Sequence, residues 1–258
     1  MDRSAGWTLL ALGALGALGA LGACGGAGSG SVQASASDVA GPAGTQLDHG
    51  GPVIASARAV PIWWGDPAAF GDAVSEVERL LGALDGSPWL ATLDPYLRGA
   101  KARVTFGGSL FLAGGPSAPQ PGISEVVGAI CQAVTAAGGA PDPGAVYLLF
   151  TDTPPADRWG WHGYGDCRGT RLGVAWIAGV SYAAACSAAS PRAHGAVQVA
   201  AHELVETMTN PFVPDAWIAA NGREVADACP LACQQVGPGP AFTLPTLWSN
   251  AQGRCVQP

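Results

Sequence analysis

Ala145-Val146-Tyr147-Leu148-Leu149-Phe150-Thr151 is a run of six apolar residues closed by a threonine, with no alternation of polar and apolar positions. A strand that is apolar on both sides of its pleat needs cover on both faces, which makes it an interior strand of a sheet flanked by helices. The flanks agree. Upstream, residues 122–137 place Ile123, Val126, Val127, Ile130 and Val134 at helical spacing. Before them, residues 103–112 read as a strand whose two halves, VTF and LFL, are separated by Gly107-Gly108, a bulge or turn signal. Residues 53–64 (VIASARAVPIWW) form another buried strand. It ends at Gly65-Asp66-Pro67, where Asp66 caps a helix carrying Phe70, Val74, Val77, Leu80, Leu81 and Leu84 inward. Downstream, 172–182 is a further strand, and 191–209 is a helix with Ser190 as cap and Asn210-Pro211 as stop. The remainder reads as loops with a short strand at 224–226. Alternating strands and helices predict an α/β (α+β) fold: a mixed sheet packed with helices and a loop-rich C-terminal part.

The chemistry concentrates in the last helix, at His202-Glu203-Leu204-Val205-Glu206. Residues four apart stack on one helical face, so His202 and Glu206 can offer a nitrogen and an oxygen to one cation. Glu203 is rotated by about 100° from His202. That puts it beside such an ion, where a carboxylate can act as general base toward water. This is the logic of the H-E-x-x-H metalloprotease helix with glutamate replacing the second histidine. The chain has six glutamates and four histidines in all, so the spacing is not a product of abundance. The surrounding residues are apolar nearly all round, and buried carboxylates require a cation or donors. A third ligand is expected from Glu224 or Asp227, with the other orienting His202 from behind. One histidine with carboxylates is a harder set than two histidines. Zinc is therefore expected alongside other divalent metals, calcium and manganese among them. The order strand, helix, strand, strand, metal helix gives the fold a zincin-like look, by analogy of arrangement.

The N-terminus carries an export signal. Met1-Asp2-Arg3 precedes an apolar stretch from Trp7 to Ala23 that is short for a membrane span, and the stretch ends in Leu21-Gly22-Ala23-Cys24, which resembles a lipobox. The expectation is a signal peptide over 1–23, lipidation at Cys24, a Gly/Ser/Ala-rich flexible linker over 24–47 and one globular domain over 48–258. The mature protein would then be extracytoplasmic, anchored to the bacterial cell envelope through lipid. With net charge −7 and a single lysine, Lys101, no basic stripe exists to neutralise phosphates, which argues against nucleic acid as partner. Six further cysteines, Cys131, Cys167, Cys186, Cys229, Cys233 and Cys255, suit up to three disulfides in an exported chain. The expected pairings are Cys167 with Cys186, and Cys255 with Cys229 or Cys233. His162, between aromatics and glycines in 161–165, can polarise a carbonyl or contact substrate from a loop, and His49 sits in a similar glycine-rich setting. Trp159 and Trp161 can stack on sugar rings, whereas Trp63 and Trp64 suit core packing.

Taken together, His49-Gly50-Gly51-Pro52-Val53, PIWWG at 61–65, YLLFTD at 147–152, Trp161-His162-Gly163 with Cys167, HELVETMTNPF at 202–212, EVADAC at 224–229 and LWSNAQGRC at 247–255 resemble the phosphate-induced protein/EXORDIUM family. The resemblance implies a secreted or wall-associated protein. The His-Glu pair is not part of the plant pattern, so catalysis is argued from this chain's own residues. Two functions follow as expectations. One is a metal-dependent hydrolase, a peptidase with peptide or cell-wall substrate. The other is a non-catalytic wall or glycan-binding module.

Overall fold

The computed structural model describes residues 32–34, 45–182, 186, 188–227 and 229–257. The signal segment 1–23 and Cys24 lie outside the described residues. The chain order is β1 (Val32–Ala34), β2 (Gln46–Asp48), β3 (Ser56–Trp64), α1 (Pro67–Phe70), α2 (Ala73–Ala83), α3 (Pro88–Ala91), β4 (Arg103–Phe106), β5 (Leu110–Leu112), α4 (Ile123–Ala136) and β6 (Ala145–Thr151). It continues with β7 (Gly160–Cys167), β8 (Thr170–Ile177), α5 (Pro191–Thr209), β9 (Trp217–Ala219), β10 (Leu231–Gln234), β11 (Phe242–Pro245), β12 (Leu247–Ser249) and β13 (Arg254–Val256).

The main sheet has seven strands in the order β1-β7-β8-β6-β3-β4, with β5 also on β3. Strands β3, β4, β5, β6 and β8 run parallel; β7 is antiparallel to β8, and β1 to β7. Every residue of β6 is buried, as its unbroken apolar run requires. The sheet is mixed and packed with helices, as the alternation of elements predicts.

Side-chain parity on β7 separates the two faces. A Cβ on Gly160 would meet Val199 and Glu203 of α5, while one on Gly165 would lie 2.6 Å from Val127 of α4. Even-numbered residues of β7, including His162, therefore face α5, and odd-numbered ones face α4. Strand β7 replaces the loop expected around 161–165. Its glycines are present for close helix packing, not for turns.

Other expectations are refined for equally local reasons. The helix after Asp66 is two helices, because Gly71 adopts φ +54° and interrupts it. Residues 103–112 form two strands on the same partner. The break falls at Gly107, where a Cβ would lie 2.7 Å from Val60, and at Gly108 with φ +85°. The strand at 172–182 stops at Ile177. Residues 224–226 are not a strand, and the C-terminal part, expected as loops, contains β9 to β13. Within the stretch 24–47, expected as a flexible linker, residues 32–34 pair with β7 and β2 begins at Gln46, which is buried with its N–H donating to Asn250 Oδ1.

Three disulfides are present among the described residues: Cys131–Cys167, Cys186–Cys233 and Cys229–Cys255. The expected Cys167–Cys186 bond is wrong, since Cys167 is an odd-numbered β7 residue and faces α4, which carries Cys131. Cys255 does pair with Cys229, one of its two expected partners. Three disulfides suit a chain that folds in an oxidising compartment. No helix of the described residues is long and apolar enough to cross a membrane.

Candidate metal centre

Helix α5 begins as its sequence predicts, with Ser190 Oγ accepting from the Ala193 N–H and Pro191 in the first turn. It ends at Asn210, whose N–H donates to Glu206 O. The helix is wedged between the sheet and α2, and Val197, Val199, Ala200, Ala201, Leu204, Val205 and Met208 are all buried. Its residues His202, Glu203 and Glu206 form a buried cluster with Glu224 and Asp227 of the loop at 224–227 and with His162 of β7.

His202 and Glu206 meet as the i,i+4 spacing predicts. His202 Nε2 lies 3.2 Å from Glu206 Oε2 and 3.3 Å from Asp227 Oδ1. Both carboxylates stand close enough to interact directly with the imidazole. Ligand atoms at about 2.0–2.1 Å from a tetrahedral ion stand about 3.3 Å apart. The three residues can hold a metal ion. His202 keeps 17% of its side-chain exposure, although its Nε2 is sealed from solvent, as are Glu206 and Asp227 for the most part. Asp227 is therefore the downstream residue that joins the pair. Its second oxygen accepts the Glu224 N–H at 2.9 Å, which fixes the carboxylate.

Glu224 does something else. It is fully buried, and its Oε2 lies 2.7 Å from His162 Nε2. Its Oε1 accepts from Asn210 Nδ2 at 2.9 Å, and Asn210 Oδ1 accepts the Ala216 N–H at 2.9 Å. The 215–216 backbone in turn accepts the N–H groups of His49 and Gly51, and a Cβ on Gly51 would collide with Asp215 O. The HGG segment thus acts through its backbone. The His49 side chain is exposed and belongs to neither ligand group. His162 lies on strand β7, not in the expected loop, and its side chain has no exposure. It braces the pocket through Glu224 instead. Trp161 is buried as well and offers no face to a sugar, while Trp159 packs edge-on against Tyr182.

Glu203 is fully buried toward β7 at Gly160, and neither of its oxygens has a hydrogen-bond partner. A larger residue at 160 would fill the space it occupies. Asn210 is the functional residue that sequence reading missed. It was visible only as a helix stop, and its position in the NPF segment was the one available signal.

The electrostatics of the pocket favour cations. Four carboxylates, Glu203, Glu206, Glu224 and Asp227, share it with two imidazoles. Burial alone would depress His162, yet the Glu224 carboxylate outweighs it and raises the imidazole to about 9. His202 is likewise driven well above its ordinary value, with Glu206 and Asp227 overcoming its desolvation. Burial pushes Glu203 and Glu206 upward, with neighbouring carboxylates adding to it. Burial would also raise Asp227, but His202 holds it below the usual range. The four raised groups say that this cluster favours added positive charge, which a proton or a metal can supply, while Asp227 already has the His202 imidazole as partner.

No family model, curated protein or solved structure matches this chain.

Proposed function

We propose that this chain is an extracytoplasmic metal-dependent hydrolase acting on peptide bonds, with His202, Glu206 and Asp227 as ligands to zinc or another divalent metal. One observation carries the reading: three ligand atoms from a helix and a loop, His202 Nε2, Glu206 Oε2 and Asp227 Oδ1, stand at metal-ligand spacing in a largely buried acidic cluster. A divalent ion there would polarise a carbonyl and lower the pKa of water. Glu203 serves as general base, since it is the buried carboxyl whose oxygens no protein donor occupies. Glu224, held by Asn210, keeps His162 in place behind Glu206. Cys24 bears the lipid that ties the domain to the bacterial envelope, and an EXORDIUM-like wall setting supplies peptide or cell-wall substrates.

The test is metal analysis of protein purified without chelator, followed by Glu203→Gln assayed on casein and on peptidoglycan. Stoichiometric metal retained by Glu203→Gln, with hydrolysis lost, is the expected result. A folded, metal-free wild type that gains no activity from zinc, manganese or calcium would end the hydrolase reading.

A further inference from the structure

Glu206 stands between two imidazoles. Its Oε2 lies 3.2 Å from His202 Nε2 on the outer side and 3.9 Å from His162 Nε2 on the inner side. The inner side has a triad of its own. His162, Glu203 and Glu206 each bring one ligand atom within 4.8 Å of the others, and all three residues are buried. Two features of this triad have no explanation within the protein. Both Glu203 oxygens are sealed from solvent without a donor, a costly state for a carboxyl group. His162 engages only one of its nitrogens: Nε2 is on Glu224, while Nδ1 is buried and unpartnered. The nitrogen nearest Glu206 is Nε2, the one that Glu224 engages, so Glu224 fixes the ring at the inner side of the cluster.

We infer that the pocket holds a second divalent cation, deeper than the first, between His162, Glu203 and Glu206, with Glu206 shared by the two ions. The inference rests on the reading of the outer triad as a metal site and deepens it. Charge supports it: two divalent cations and two neutral imidazoles balance the four carboxylates of the pocket. Paired catalytic ions need a ligand that reaches both, and Glu206 is placed for it, its Oε2 lying 3.2 Å from His202 Nε2 and 3.9 Å from His162 Nε2. Glu203 has two buried, unpartnered oxygens, either of which can serve as the inner ligand. A paired site of this kind would hold both the attacking and the leaving oxygen of a hydrolytic step.

The experiment counts ions. Full-length, disulfide-intact protein is stripped with chelator, dialysed against Mn2+, and analysed for bound metal and by electron paramagnetic resonance. The wild type is expected to hold two ions with the spectrum of a coupled pair. Glu203→Gln and His162→Gln should each hold one ion with the spectrum of an isolated ion, and Asp227→Asn should also hold one. A wild type that saturates at one ion, and keeps it in Glu203→Gln, would overturn the second site and leave the proposed hydrolase standing. Zero ions would remove both. A single ion lost in Glu203→Gln but kept in Asp227→Asn would overturn the pair and the outer assignment together. Should His162→Gln fail to fold, the near-isosteric Glu203→Gln decides alone.

Discussion

The pocket is built from two halves that hold their residues by different means. On one side, α5 and β7 present His202, Glu203, Glu206 and His162 from regular elements locked into the sheet. On the other, residues 210–257 present Glu224 and Asp227 from a stretch of turns and short strands. There, side-chain hydrogen bonds through Asn210 and the Cys229–Cys255 bond provide the rigidity. The helical half is specified locally, by periodicity and caps. The loop half depends on contacts far apart in sequence, so it is the half that metal and disulfides should stabilise most.

The sharpest way to test that division is to remove one ligand from each half. Asp227→Asn and His202→Ala should each weaken zinc binding by about 100-fold or more, measured by competition with a chromophoric chelator. Zinc should protect the wild-type 210–257 backbone from hydrogen exchange far more than α5, and equal protection of both would break the comparison. Next come the disulfides. Replacing Cys229 and Cys255 by serine should cost about 3.5 kcal/mol and also weaken metal binding. The Cys131/Cys167 pair should cost a similar amount in thermal unfolding while leaving metal affinity nearly unchanged, because β8 still holds β7 in register. A smaller effect is expected from Gly160→Ala, which crowds Val199 and Glu203 and should destabilise by about 1–3 kcal/mol.

The smallest expected effect is one of pH, and its sign is opposite to the common pattern. Glu203 and Glu206 have raised folded-state values, and His162 is raised to about 9. The folded, chelator-treated protein therefore binds more protons than the unfolded chain between the ordinary carboxylate range and about pH 9. Its stability from these groups falls as pH rises through that window. Asp227 acts the other way, its contribution being lost only in acid. Melting temperature in chelator should decline from pH 5 to 9, and saturating zinc should flatten or reverse the slope, since metal competes with those protons. A chelated protein that grows more stable with pH would contradict the charge account.

What could be read beforehand follows the same division. The strand at 145–151, the helix at 191–209 and the His202–Glu206 pair depend on spacings within one element, and all were legible. The order of glycines in 160–165 was misread, since a glycine under a packed helix and a glycine in a turn look alike in one dimension. The choice of Asp227 over Glu224 as partner to His202 was open for the same reason: only the fold decides which carboxylate reaches which imidazole. Cys167 was given the wrong partner because strand parity on an unrecognised strand could not be counted.

The placement of β1 along the outer side of β7 has one more consequence. Among the described residues, β1 covers β7 only at Gly160, Trp161 and His162, so this border is broken into two short edges, three residues of β1 and the uncovered 163–167 of β7. The opposite border is less guarded, with Phe106 and Phe111 exposed on β4 and β5. If crowding brings copies of this protein together, that flank is where they will meet.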